Sequence, residues 1–305
     1  MPEHERIDCL GLGIIPFDIL YTIATYPRAE AKIDALDFNT QGGGPVPNAM
    51  VGLSRLGLKT AVIAAVGDDL FGEYGVAEMK REKVDTRFII VKKRTSAIAT
   101  GYIEKGSGRR TMVLYRNITV EPGDINTRSL PLPRLVHLDG RDMPATMKLA
   151  RWGRRMKATI SFDIGSVRND VSEVFGLVDH LVVADGFAFP FTGCRTARRA
   201  IKKLAERCPG KIVVTEGIRG STGFENGAFY THKAFRVENV DATGAGDAFH
   251  VGYIFGLLKG TDMAERLRLG AAVAALKCMQ PGGRTGLPDR RQLQRFLKSN
   301  PKSYA

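Results

Sequence analysis

The chain has 305 residues, 44% of them hydrophobic, with 45 lysines and arginines against 32 aspartates and glutamates and a net charge of +13. That length suits one large α/β domain or two smaller ones, and the composition is that of a globular protein able to bury a substantial core. No apolar stretch approaches a membrane span, no signal-peptide pattern follows Met1-Pro2-Glu3-His4, and the four cysteines lack metal-binding spacing, so a soluble cytoplasmic protein with no disulfide and no structural metal is expected. Polyanion binding is one reading of the positive charge. The basic clusters, such as residues 151–157 and 195–203, instead interleave with apolar positions at helical spacing and with few aromatics. They read as solvated helix faces, and no nucleic-acid partner is expected.

Residues 7–15 form a mostly apolar run closed by Pro16, which predicts a buried parallel strand. Asp18 follows just past its end, where open α/β sheets place ligand-contacting groups, although capping or turning the chain would also explain it. Residues 20–40 show broken alternation. A second such set spans residues 86–116, with Phe88-Ile89-Ile90-Val91, then residues 97–103 and 111–115 around a turn-rich connection. Neither set follows a βαβ rhythm. They predict a small β-sheet lid, built from about 18–40 and 86–116, inserted in a single domain of residues 1–305.

Gly42-Gly43-Gly44 allows close backbone approach, Pro47 suits a helix's first turn, and an amphipathic helix then runs to Gly57. Asn48 lies early on that helix and could donate to and accept from a polyol, while the plainer reading is a tight loop ahead of a helix. Residues 60–67 read as a strand, with Asp68 and Asp69 capping the helix that follows. Residues 135–142, 159–165 and 180–186 are further strands feeding helices. Residues 211–221 make a strand and a turn shaped by Gly217 and Gly220. Helical spacing returns over residues 262–279, breaks at Pro281-Gly282-Gly283 and resumes over 289–297.

The remaining stretch, Asp241-Ala242-Thr243-Gly244-Ala245-Gly246-Asp247-Ala248-Phe249, precedes an apolar run at helical spacing. Residues 244–247 therefore predict the first turn of a buried helix, whose unpaired N–H groups and dipole favour an anion. Asp247 would repel that anion, so its presence needs a reason. It either complements the dipole or serves as a general base, taking a proton from an incoming hydroxyl while the helix start holds a phosphoryl group. The second reading is preferred here.

This stretch resembles the C-terminal signature of the ribokinase-like (PfkB) carbohydrate kinases, with Ala242 in place of the usual Thr. The glycine run with Asn48 and Leu56-Gly57 resembles the family's N-terminal signature, and residues 108–115 with His137-Leu138-Asp139-Gly140-Arg141 point to the ketohexokinase-type branch. The resemblance implies a mainly parallel central sheet with helices on both faces, plus a small β-sheet lid that often forms a dimer contact. It also implies ATP and Mg²⁺ as cofactors. Asp247 becomes the catalytic base, with residues 244–246 (Gly244, Ala245, Gly246) as the anion hole. Asp18, Gly43, Gly44, Asn48 and Arg110 become sugar contacts, with Arg110 reaching the sugar or the phosphoryl group. Thr215, Gly217 and Gly220 lie on the nucleotide-phosphate loop, and Cys278 borders the adenine. Asp241 and Thr243 match positions that hold a monovalent cation, K⁺, in some relatives.

Two departures stand out. Pro45 replaces an Asn that touches the sugar in ketohexokinases, and Ala184-Asp185-Gly186-Phe187 lacks the Glu of the Asn-x-x-Glu element that organises magnesium, leaving Asp185 as a substitute. No Gly-x-x-x-x-Gly-Lys-Ser/Thr occurs, and no Gly-x-Gly-x-x-Gly follows the first strand. The sequence reading is an ATP-dependent kinase for a ketohexose or ribose-like sugar, including acidic or phosphorylated ones. Attraction of ATP and an acidic substrate then accounts for the net charge. A nucleoside kinase of the same family and a non-catalytic ligand-binding protein are the alternatives.

Overall fold

A computed structural model describes residues 5–167 and 170–301. The chain opens with β1 (Arg6–Leu12), then β2 (Phe17–Ile23) and β3 (Asp37–Gly42). Next come α1 (Pro45–Arg55), β4 (Thr60–Gly67), α2 (Leu70–Arg81), β5 (Ile89–Lys92), β6 (Ile98–Glu104) and β7 (Arg110–Tyr115). The second half runs β8 (Leu132–Leu138), α3 (Met143–Arg155), β9 (Thr159–Ile164), β10 (His180–Ala184), α4 (Asp185–Thr192), α5 (Ala197–Ala205) and β11 (Lys211–Thr215). It closes with β12 (Ser221–Glu225), β13 (Ala228–His232), α6 (Ala245–Leu258), α7 (Met263–Cys278) and α8 (Arg290–Ser299).

Nine strands form one sheet in the order β13-β12-β11-β10-β9-β8-β1-β4-β5, parallel except where β12 and β13 turn back. The central strands are buried on both faces, as their unbroken apolar runs require, while the edge strands β5 and β13 are partly exposed. Their side chains alternate between two cores. Ala61, Ile63 and Ala65 of β4 join Val136, Leu138, Ile212 and Val214 on the side of α3 and α5. Val62, Ala64 and Val66 join Val46, Met50, Val251 and Ile254 on the side of α1 and α6. Each such apolar side chain contributes roughly 1.5–3 kcal/mol when fully buried.

The chain leaves β1 towards β4 on one side and later returns to β8 on the other, so the strand order reverses at β1. Crevices at such switch points, beyond the strand C-termini, are where open α/β sheets bind ligands. Asp139 lies just past β8, Asp163 near the end of β9, Asp185 at the end of β10 and Thr215 at the end of β11.

The smaller sheet has the order β3-β2-β6-β7, with β2 and β6 parallel. It is a small sheet separate from the large one, as expected, and its strands do not include the stretch around residue 90. Ile89, Ile90 and Val91 belong to β5, which pairs with β4 at the edge of the large sheet. The contribution of the second segment therefore begins at Ile98, not near residue 86. Broken alternation marks exposure on one side, which an edge strand shares with a strand of a satellite sheet.

Candidate active site

Helix α6 starts where the sequence places it. Gly244 is its N-cap at φ 74°, a left-handed conformation natural to glycine, and a Cβ there would meet the Gly283 backbone at 2.9 Å. Asp247 falls in the first turn. The helix then dives into the core, with Phe249, Val251, Tyr253 and Ile254 at most 5% exposed, so its start is anchored from behind.

Asn48 Nδ2 donates to Asp247 Oδ2 at 2.6 Å, while Arg284 Nε donates to Asn48 Oδ1 at 2.8 Å. A guanidinium only donates and a carboxylate only accepts, so the Asn48 amide has one satisfying orientation. Both of its polar ends thus carry a protein partner. Asn48 orients the carboxylate of Asp247, in addition to any contact with a polyol.

Arg284 is 2% exposed and also donates to the Gly43 carbonyl at 2.8 Å and pairs with Glu78. Glu78 in turn accepts from Gly42 N at 2.7 Å. The sequence reading did not single out Arg284, since the segment around it reads only as a helix break. A lone arginine after Pro-Gly-Gly offers no periodic signal.

Asp18 on β2 is 5% exposed. Burial raises its carboxyl to about 7, against the opposing charge of Arg284. A Cβ on Gly43 would collide with the Asp18 carboxylate, so glycine there is what lets the two approach. Gly44, at φ 94°, leads into α1 beneath the Ile14 carbonyl.

A cleft of about 470 Å³ lies in front of α6. Its walls include Arg110, Asp139, Asp163, Asp185, Thr215, Gly217 and residues 244–247, and Arg116 and Arg141 add further guanidinium groups. Arg110 reaches from the small sheet to donate to Ala242 O at 2.8 Å. Asp185 pairs with Arg219 at 2.8 Å. Among the described residues the walls do not include Gly220, Thr243 or Cys278. Gly220 sits at φ 102° against the His232 carbonyl and shapes the turn; Cys278 O accepts from Val240 N and Asp241 N behind the loop.

Beneath Asp247 the structure assembles His137, Asp163 and His250, which are far apart in sequence and were not anticipated. His250 Nε2 lies 3.1 Å from Asp163 Oδ1, and the two imidazole rings are 5.1 Å apart. Burial drives His137 down to about 3, so it is neutral, with His250 adding to the effect. Burial acts to raise Asp163, yet His250 holds it below the usual carboxylate range. Burial and then the charge of Asp163 raise Asp247, against the hydrogen bond from Asn48. A carboxyl pushed upward in this way is a stronger base when ionised.

A helix start bearing a carboxylate, set at the switch point of a doubly wound sheet with no Gly-Lys-Ser/Thr phosphate loop, defines a phosphotransferase with an alcohol group as acceptor. The profile of pfkB family carbohydrate kinases matches residues 4–290, and the chain belongs to that family. It is 25% identical over 337 aligned positions to the 5-dehydro-2-deoxygluconokinase of Clostridium perfringens, covering 99% of this chain and 96% of that one. It is 26% identical over 291 positions to the ketohexokinase of Mus musculus, covering 90% and 97%. A solved E. coli structure of ribokinase type, in complex with ATP and Mg²⁺, superposes with a TM-score of 0.83 at 21% identity over 96% of this chain and 99% of its own.

Proposed function

We propose that the chain is an ATP-dependent sugar kinase in which Asp247 removes the proton of the acceptor hydroxyl. The observation that carries this is the Asn48–Asp247 contact at 2.6 Å, at the mouth of an anion-binding helix start and on the wall of a cleft of about 470 Å³. Asn48 and Arg284 hold the carboxylate in one orientation. The N–H groups of residues 244–247 stabilise the transferring phosphoryl group, and Arg110 brings a further positive charge to the same wall. Thr215 and Gly217 line the nucleotide side. Asp18, brought against Gly43, and Gly44 offer the sugar side. The small sheet acts as a lid that excludes water and suppresses ATP hydrolysis.

Mg²⁺ would be held between the nucleotide and carboxylates of the cleft. Asp139, Asp163 and Asp185 present carboxylate oxygens on the cleft wall, donors that suit a hard dication, and Asp139 Oδ2 is buried without a hydrogen-bond partner. These residues would hold the ion in place of the missing Asn-x-x-Glu element, and its charge would serve to neutralise the phosphate oxygens.

The sugar is acidic or phosphorylated by this reading. Arg110, Arg116 and Arg141 on the wall support it, as does the similarity to a kinase named for a gluconate derivative. The assay is ADP release with ATP, Mg²⁺ and a panel of ketoses, aldoses, sugar acids, sugar phosphates and nucleosides, for the wild type and Asp247→Asn. Sugar-dependent turnover lost in the variant is expected. Turnover surviving in Asp247→Asn refutes the base; preference for adenosine shifts the assignment to a nucleoside kinase, and silence across the panel favours a binding protein.

Two further parts of the reading concern assembly and place. Val113 (61% exposed), Tyr115 (52%) and Phe38 (56%) lie on the small sheet, an apolar surface suited to pairing with a second copy. A homodimer through this sheet is expected by sedimentation, and a monomer at micromolar concentration refutes it. No described helix is long and apolar enough to cross a membrane. The enzyme works in the cytoplasm, where ATP is plentiful, and fractionation of cells expressing it checks this.

A further inference from the structure

The resemblance to cation-binding relatives places a monovalent ion at Asp241 and Thr243, and the chain already sets a cation of its own beside them. The carboxylate of Asp241 is taken on both oxygens, by Thr243 N at 2.7 Å and by Gly282 N at 2.7 Å. Its carbonyl oxygen accepts from Lys277 Nζ at 2.6 Å. The next carbonyl, Ala242 O, accepts from Arg110 at 2.8 Å. The oxygens of Asp241 and the Ala242 carbonyl are thus engaged by backbone N–H groups and by the chain's own cations, while Thr243 Oγ1 is buried without a hydrogen-bond partner.

Lys277 is 0% exposed and rises from the last turn of α7. Among the described residues its ammonium forms no ion pair. Burying a charge without a carboxylate partner is costly. The negative end of α7 offsets part of that cost, as does the carbonyl of Asp241. An ammonium group carries the charge of K⁺ and has a similar size, so it can take the same carbonyl oxygens. We propose that Lys277 is a resident cation that stands in for the monovalent ion, fixing the carbonyl of Asp241 so that the N–H groups of residues 244–247 face the phosphoryl group, and that catalysis needs no added K⁺. Lys277 is on this view a positioning residue. The inference rests on the kinase reading for its effect on rate but not for its effect on stability.

The test uses the full chain, exchanged into tetramethylammonium chloride and compared with KCl and NaCl at equal ionic strength. Melting temperature and initial rates with the acceptor identified by the panel are measured for the wild type, Lys277→Met and Lys277→Arg. The wild type is expected to differ less than twofold in rate among the salts, with no K⁺-specific rise in melting temperature. Lys277→Met should lose at least tenfold in kcat in tetramethylammonium, then recover along a saturable KCl curve with a parallel rise in melting temperature. Lys277→Arg should respond to no salt.

A tenfold or greater activation of the wild type by K⁺, or a K⁺-specific rise in its melting temperature, overturns the proposal. So does a folded Lys277→Met that keeps wild-type rate without K⁺, or one that is inactive and unresponsive to it. If Lys277→Met does not fold, the wild-type measurements decide. If no acceptor is ever turned over, the kinase reading fails while the melting-temperature comparison still reports on the cation.

Discussion

Replacing Asn48 by alanine deletes the hydrogen bond that lowers the Asp247 carboxyl and leaves burial and Asp163 to raise it unopposed on that side. A hydrogen bond to a charged group contributes about 1.5–3 kcal/mol, and one pKa unit corresponds to about 1.36 kcal/mol. The Asp247 carboxyl in Asn48→Ala should therefore rise further above the usual carboxylate range. The base acts in its ionised form, so the acid limb of kcat/KM, which reports the free enzyme, moves to higher pH. The plateau at alkaline pH falls less than the rate at neutral pH. Asn48→Asp keeps an acceptor for Arg284 Nε but faces Asp247 with a second carboxylate, so its acid limb moves further in the same direction. The assay is kcat/KM across the pH range, with the melting temperature of each variant as a control for folding. A uniform loss at every pH, with the limb unmoved, refutes the assignment of Asp247 as the titrating base and of Asn48 as its partner.

Asp247→Asn should lower kcat by about 10²–10⁴-fold with KM for ATP little changed, measured by steady-state kinetics; an unchanged kcat contradicts the mechanism. Gly43→Ala forces the Asp18 carboxylate aside, so KM for the sugar should rise by about tenfold or more while kcat for bound sugar changes less. Asp18 titrates at about 7, so its charged, accepting form is lost as pH falls through that value. Sugar KM should therefore rise below about pH 7 in the wild type, and a pH-independent KM argues against Asp18 as a sugar contact. Arg284→Met strands the Glu78 carboxylate and Asn48 Oδ1 together, and a loss of roughly 3–5 kcal/mol in stability is expected from denaturant titration. A variant as stable as the wild type shows that the guanidinium network is not a structural clamp.

The helix start at residues 244–247 was readable because its cause is local: small residues, a carboxylate and an apolar run are adjacent in the chain. The same holds for the α1 entry and for the Asp69 cap, which accepts from Gly72 N at 2.8 Å. What the sequence did not disclose depends on partners distant in the chain. His137, Asp163 and His250 meet only because β8 and β9 are neighbours and α6 crosses above them. Arg284 and Lys277 are single cations whose neighbours show no pattern, and composition assigns such residues to solvent. The stretch Phe88-Ile89-Ile90-Val91 reads as part of the small sheet, whereas Ile89–Lys92 pair with β4, because half-buried alternation reports exposure and says nothing of the pairing strand. The departure at residues 184–187 was visible, but the placing of Asp139 and Asp163 on the same cleft wall as Asp185 was not.

Arg284 joins the glycine run near the start of the chain to the loop behind α6, and Gly282 N completes the hydrogen bonding of Asp241. Arg284 and Gly43 are 241 positions apart, and contacts of such separation form late in folding because loop-closure entropy must be overcome before they contribute. The hydrogen bonds around Asn48 and Asp241 are therefore complete only when distant parts of the chain have come together.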